Sequence, residues 1–258
     1  PRVMQVACPY NKHRTSMNNK IFEHHLHSAD LTDTLVITGS DIKWKHSDKL
    51  ISKQARHILF ENCSDHKISE KDSGHYVDAI LKLHKDIPGM VTENISVKDG
   101  IANGTVALLE KVVLTSEASN MLRNISVDGI SVKAIDSKYI DHLVLRHPST
   151  NESFKLFAKT MTVNATMPLD VGFTSVETQV SLSMTQFPIL VNYATTVHKL
   201  QGCSKDRLYV ADWSYKRNFV YVTLSRVRSL NGLFLCKKLD RTKNYQPHSR
   251  LLAMIAKF

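Results

Sequence analysis

Several features that announce a function are missing from this chain, and each absence narrows the field. No apolar run approaches the ~20 residues needed to cross a bilayer, so the apolar stretches read as core and no membrane partner is expected. The first residues, "PRVMQVACPY", lack the charged-then-apolar order of a secretory signal. Position 1 is proline rather than methionine, as expected of a fragment or a processed chain, and a targeting signal would then lie outside this sequence. Four cysteines, Cys8, Cys63, Cys203 and Cys236, stand far apart with no C-x-x-C. Neither a zinc knuckle nor a disulfide framework is indicated, and free thiols in a reducing compartment are expected. There is no G-x-x-x-x-G-K-[ST] loop to cradle phosphates, no H-E-x-x-H, no internal repeat and no low-complexity tract.

What is present is a chain of 258 residues, long enough for one large domain or two small ones with a real core. Lys and Arg number 34 against 24 Asp and Glu, a net charge of +10. A basic excess suits a polyanionic partner, nucleic acid being the commonest. A basic surface without such a partner is the alternative.

The pattern changes style along the chain. "RVMQVACPYN" reads as a strand of a buried parallel sheet, and "NKHRTSMNNKIFEHHLH" as a following helix that starts at Asn11 or is capped by Ser16. Residues 28–75, with "SDIKWKHSDKLISKQ" and "ENCSDHKISEKDSGHY", read as surface loops with short helices. Strand-like runs then follow one another at 89–95, 105–114, 129–135, 141–146 and 154–163, separated by turn signals such as "KDG", "ANG", "DG", "HPSTNES" and "MPLDVG". This stretch reads as a small antiparallel β unit. After "TQFP" the α/β style returns: "PILVNYA" as strand, "TTVHKLQG" as a turn into a helix, "DRLYVADW" as strand, "NFVYVTLSRVRS" as helix, "GLFLC" as strand and "SRLLAMIAKF" as an amphipathic terminal helix. The expected fold is an α/β domain interrupted by a β insertion.

Three stretches carry chemistry. In "TTVHKLQG", backbone N–H groups at a helix start favour anions, so Thr196, His198 and Lys199 are candidates for phosphate contact, while Gln201-Gly202 can turn the chain close to a ligand. The plain alternative is a capped helix with a surface lysine. In "YVTLSRVRSL", an arginine on a rigid helix, Arg226, can reach a transferring phosphoryl group, with Arg228 two residues on. The plain alternative is an arginine paired with a carboxylate. In "DGIANGTVALLEKVVL", Asn103-Gly104 suits a tight turn with positive φ and by itself signals only a hairpin. A fourth stretch, "EHHLH", groups Glu23, His24, His25 and His27, with Glu23 and His27 on one helix face; an exposed polar helix end is the expectation rather than a metal site.

Taken in order, these stretches resemble the C-terminal half of Pif-one-type helicases, a superfamily-one group related to RecD and found also in Helitron transposons. "TVHKLQG" is similar to motif V (T-[IV]-H-K-x-Q-G), and "YVTLSRVRSLNGLFL" to motif VI (Y-V-A-L-S-R-V, then a G-L-F-L-like strand). "IPGMVTENISVKDGIANGT" resembles G-x-P-V-M-L-x-R-N-I…G-L-x-N-G-T, "QFPILVNYA" the Q-F-P lead-in to motif V, and "VACPYNKHRTSMNNKIF" the strand-helix A-T-N-x-x-V-D-x-x-N.

The resemblance implies a RecA-like second motor domain of the P-loop NTPase type, over residues 1–83 and 184–258, with an SH3-like β subdomain inserted at 84–183. It implies an ATP-dependent 5′-to-3′ DNA helicase, with Arg226 as arginine finger, Gln201, Gly202 and Arg226 at the nucleotide, and Thr196, His198, Lys199, Asn103 and Thr105 on DNA. ATP and Mg2+ would be held mainly by an N-terminal P-loop domain outside this chain, leaving the fragment alone inactive. Single-stranded DNA, duplex junctions and that N-terminal domain are the implied partners; roles in repair, recombination and telomere maintenance are implied, in the nucleus or mitochondrion of a eukaryote or otherwise inside the cell. This chain departs from the family pattern at Glu93 (usually Arg), at "NGTVA" (usually N-G-T-R-G), at Leu200 (usually small) and at Phe219-Val220, where a Gln is usual. A non-enzymatic single-strand-binding remnant of a transposon-derived helicase is the second expectation.

Overall fold

"QVAC" is apolar without alternation because it lies inside a parallel sheet, with Gln5–Cys8 buried at every position. The computed structural model describes residues 4–28, 34–45, 49–61, 68–70, 77–148, 150–171, 174–214, 219–240 and 242. Gln5–Cys8 pairs on one side with Ala194–Thr196 and on the other with Leu208–Val210, which in turn pairs with the edge strand Leu233–Leu235; all three pairings are parallel. The Gln5 side-chain amide donates to the carbonyl of Tyr193 at 3.1 Å and the Val6 N–H to the same carbonyl at 2.9 Å, fixing the register of the first pair. Helix Asn11–Ser28 follows the central strand, with its start at Asn11.

The chain divides into two compact units, one of Pro1–Met17 and Tyr193–Phe258, the other of Asn18–Asn192. The parallel sheet belongs to the first. The second holds three sheets. A 5-stranded antiparallel sheet runs in the order Ser153–Leu156, Ile140–Arg146, Val106–Leu114, Pro88–Val91, Ile189–Val191. A 4-stranded sheet is built on the long hairpin Lys159–Val171 and Thr174–Gln186, flanked by Ser40–Trp44 and Ile68–Glu70. Another 4-stranded sheet orders Ile80–Leu83, Leu35–Thr38, Ile130–Asp136 and Arg123–Val127. Strict alternation along the hairpin sends Met161, Val163, Ala165 and Met167 into a core with Leu182 and Met184, closed by Leu59 of helix Lys53–Glu61.

Several expectations change. Among the described residues of 28–75, Leu35–Thr38, Ser40–Trp44 and Ile68–Glu70 are strands and Lys53–Glu61 is a helix, where surface loop with short helices is expected. Leu35–Thr38, Ser40–Trp44 and Ile68–Glu70 each pair with a strand from 123–186, and Ile80–Leu83 pairs with Leu35–Thr38. "MPLDVG" is no turn, because Pro168 lies within Lys159–Val171 opposite Glu177. Among the described residues that strand has no second neighbour beyond Ala165, and an edge tolerates a residue without an N–H. The run "PILVNYATT" is cut in two: Ile189–Val191 joins an antiparallel sheet and Ala194–Thr196 the parallel one. Cys8, Cys203 and Cys236 are free thiols, and burial pushes the Cys8 thiol up to about 11. The terminal helix expected at "SRLLAMIAKF", and Cys63, lie outside the described residues.

In the Asn18–Asn192 unit, His84 is buried, its Nδ1 donating to the Lys85 carbonyl at 2.7 Å and its ring 6.1 Å from Phe22. Burial pushes its pKa below the ordinary 6.5. The folded unit therefore holds a neutral imidazole that the unfolded chain protonates more readily, so stability is complete above about pH 6.5 and falls as pH drops below that unfolded value. Urea midpoints are expected to be lower at pH 5.5 than at pH 7.5, with the gap narrowed in His84→Gln; an equal gap in the variant would mean that His84 is not responsible.

Candidate functional site

Motif V begins where strand Ala194–Thr196 ends. Thr196 takes an extended backbone (φ −79°, ψ 149°) and leads into a single 3₁₀ turn, Val197–Leu200, in place of the expected helix. Val197 and Leu200 point into the core, so His198 and Lys199 face solvent on the opposite side of the turn. Gln201 (φ −58°, ψ 132°) and Gly202 (φ 78°) then form the centre of a type II turn, closed by the Cys203 N–H donating to the Leu200 carbonyl at 3.0 Å. This is the turn that "QG" foreshadows, with both residues exposed. Thr196, by contrast, is buried, and the Thr195 hydroxyl beside it is buried with no hydrogen-bond partner among the described residues.

Motif VI is a short helix, Phe219–Leu224, that stops before its arginine. Arg226 sits on the turn after it, not on the helix as expected, and is tied back by Nε donating to the Val222 carbonyl at 3.2 Å and by Nη2 donating to Ser225 Oγ at 3.0 Å. Both acceptors are neutral, and among the described residues no carboxylate pairs with Arg226. Arg228 does pair, with Asp206 at 3.0 Å. The two arginines of "SRVR" therefore separate into one with an acid partner and one without.

Backbone contacts join the two motifs. The Lys205 N–H donates to the Arg226 carbonyl at 2.7 Å and the Arg228 N–H to the Lys205 carbonyl at 3.0 Å, around a parallel bridge between Lys205 and Val227. Val197 and Leu200 of motif V pack with Ala7 and Leu208, and Phe219, Val222 and Val227 of motif VI cover the same cluster. Gly232 completes the seam, since a Cβ there would lie 1.9 Å from the Asp206 carbonyl oxygen. Around Arg226 the surface is apolar as well as basic: Tyr221 is 73% exposed and Leu230 84%.

Asn103 and Thr105 belong to the other unit. Gly104 has the positive φ expected of the Asn-Gly turn, at 96°. Thr105 Oγ1 is occupied inside that turn, donating to the Gly100 carbonyl at 3.1 Å and accepting from the Ala102 N–H at 3.0 Å. The exposed Asn103 has its N–H held by Asn94 Oδ1 at 2.9 Å. Glu93, where the family pattern has Arg, forms an ion pair with Lys159. His27 of the "EHHLH" group meets Asp128 at 2.6 Å.

Sequence reasoning missed Lys205 and Asp206, which hold motif VI in place across more than 20 residues and carry no local signal.

No family model matches the chain. A curated relative, the ATP-dependent DNA helicase Pif1 of Bdellovibrio bacteriovorus, is 43% identical over 61 residues, 23% of this chain and 14% of the relative. The Pif1 helicase of Bacteroides, solved with ADP-AlF3 and single-stranded DNA, matches with a TM-score of 0.55 at 19% identity, over 98% of this chain and 44% of that one. The Pif1 helicase of Candida albicans matches with a TM-score of 0.57 at 16% identity, over 99% of this chain and 49% of that one. The chain thus spans less than half the length of these solved helicases, and at such identities the likeness is one of fold.

The two glycines of this region separate two kinds of constraint. Gly202→Ala meets open space and strains only the backbone, at about 1–2 kcal/mol. Gly232→Ala forces the seam apart, at about 3 kcal/mol or more. Denaturant midpoints should fall much further for Gly232→Ala, and equal losses would contradict the close approach to Asp206. In sequence over 61 residues and in fold over nearly its whole length, the chain is similar to Pif1 helicases, as its motifs V and VI indicate.

Proposed function

We propose that the chain is the second motor half of an ATP-dependent DNA helicase that moves 5′-to-3′ along a single strand and unwinds duplex. In this reading the parallel-sheet unit is the RecA-like domain, and the β-rich unit contains an SH3-like subdomain that grips the strand. An N-terminal domain with a P-loop supplies the phosphate cradle and most of the Mg2+ ligation. The observation that carries the reading is the seam: the motif V turn and the motif VI segment share one apolar cluster, Lys205 ties the Arg226–Arg228 backbone by two hydrogen bonds, and among the described residues no carboxylate pairs with Arg226. Support also comes from the solved neighbours, one binding ADP-AlF3 and single-stranded DNA and another concerning unwinding at forked duplex DNA.

The residues present fit one wall of a nucleotide site. ATP would supply the phosphoryl group whose transfer to water drives the motor. Arg226, tethered by Val222 and Ser225, holds a guanidinium ready to stabilise the charge that develops on that group. An arginine already neutralised by a carboxylate would serve poorly there, which is why Arg226 and not Arg228 takes the role. The type II turn at Gln201-Gly202 presents backbone and a short amide side chain toward the nucleotide side. His198 and Lys199 face solvent and provide charge and hydrogen bonding for a phosphate backbone. Thr196 would act through the backbone it holds at the start of the turn, and the unpartnered Thr195 hydroxyl is a group that a ligand oxygen would satisfy. Asn103 offers its exposed side chain, while Thr105 shapes the turn that presents it. The apolar surface of Tyr221 and Leu230 suits coverage by the N-terminal motor domain.

In a longer protein that includes a P-loop domain, Arg226→Ala should lower ATP turnover by about 10³-fold or more while single-strand affinity stays close to the parent value. Lys199→Ala should weaken strand binding about equally across sequences and make its salt dependence shallower by about one counterion. Normal turnover in Arg226→Ala would sink the motor assignment, leaving a strand-binding module as the better description.

A further inference from the structure

A cleft of about 370 Å3 opens in the Asn18–Asn192 unit, which carries neither motif V nor motif VI. It is lined from strands Leu35–Thr38, Val106–Leu114 and Ile130–Asp136. Four consecutive residues, Leu109 to Val112, line it, which a regular strand cannot do because its side chains alternate between faces. The break in alternation has a visible origin. Val144 pairs with Lys111 and Leu145 with Leu109, so Glu110 is the extra residue of a β-bulge. Bulges of this kind re-aim side chains.

The cleft is basic in a specific way. Lys85, Lys111 and Lys133 line it, and among the described residues none of their ammonium groups has an ion-pair or hydrogen-bond partner. The one acid in the lining, Glu110, is already engaged: it accepts from Ser153 Oγ at 2.6 Å and pairs with Arg146 at 3.3 Å. Thr34 also lines the cleft. It is 3% exposed, and its hydroxyl is buried with no hydrogen-bond partner among the described residues. An orphaned buried hydroxyl beside three unpaired ammonium groups is a set of donors without an acceptor. Leu35, Leu109 and Val112 add an apolar wall.

We propose that this cleft binds a phosphate monoester carried on a flat, largely apolar body, which is the chemistry of a nucleotide. The lysines supply charge for the phosphate and Thr34 a hydrogen bond, while the apolar wall takes the ring. The volume exceeds what a bare phosphate would fill and falls in the range of small-molecule pockets. The monoester has two sources, a free mononucleotide or the phosphorylated end of a nucleic-acid strand.

Calorimetric titration of the full chain with 2′-deoxyadenosine 5′-monophosphate tests this, with deoxyadenosine and inorganic phosphate as comparison probes. The monophosphate should bind saturably, about tenfold tighter than either comparison probe. Lys111→Glu combined with Lys133→Glu should abolish that binding, and Thr34→Val should weaken it a few-fold. Lys111 and Lys133 are exposed, Thr34→Val keeps the shape of the buried side chain, and circular dichroism checks that the variants fold. A single-stranded oligonucleotide with a 5′-phosphate that displaces the monophosphate, where its unphosphorylated twin does not, assigns the site to strand ends; no displacement assigns it to free nucleotide. Undiminished monophosphate affinity in the lysine double variant, or equal binding of deoxyadenosine, would overturn the proposal.

Discussion

The arrangement of the candidate site depends on a single apolar seam. Ala7 and Leu208 from adjacent strands, Val197 and Leu200 from the motif V turn, and Phe219, Val222 and Val227 from the motif VI segment form one cluster. Each strand of this sheet is short, so the loops contribute much of the apolar area available for burial. That is why the exposed His198 and Lys199 and the half-buried Arg226 occupy defined positions: each is the chain neighbour of a residue fixed in the cluster. Lys205 then pins the two loops by backbone hydrogen bonds on either side of Val227.

The seam also accounts for two departures from the helicase pattern. Leu200 stands where a small residue is usual, and Phe219 near where a glutamine is usual; both fill the seam. Electrostatics divides the arginines by the same economy of position. Arg228 reaches Asp206, while Arg226, one turn beyond Val222, bonds among the described residues to a carbonyl and a hydroxyl. Charge without an acid partner is what a site for a transferring phosphoryl group requires.

Local signals made part of this legible in the sequence. "QVAC" reads as a buried parallel strand because it has no alternation, and Gln201-Gly202 reads as a turn because only glycine sits easily at φ 78°. The strands Val106–Leu114 and Ile140–Arg146 were readable from β-branched and aliphatic runs between turn signals. Where sequence failed, the cause was long-range. Ser40–Trp44 looks polar because it flanks a hairpin more than 100 residues away, pairing with Leu182 and Ser183. Nothing in "PILVNYATT" marks the point where one sheet ends and another begins. The early end of the motif VI helix follows from the pairing of Val227 with Lys205, which captures the chain for a bridge before the helix can take Arg226. The bulge at Glu110, which builds the basic cleft, is set by register against Val144 and Leu145 and has no signature of its own.

If the seam joins the strand side of the site to the nucleotide side, loosening it should uncouple the two without touching either ligand. The most direct measurement is the stimulation of ATP turnover by single-stranded DNA in the full-length protein carrying Leu200→Val, compared with the parent. Leu200 is 2% exposed and belongs to the apolar cluster, so its shortening leaves the side chains of His198, Lys199 and Arg226 unchanged. The account predicts that stimulation falls by about threefold or more while unstimulated turnover holds. Full stimulation in the variant would contradict it.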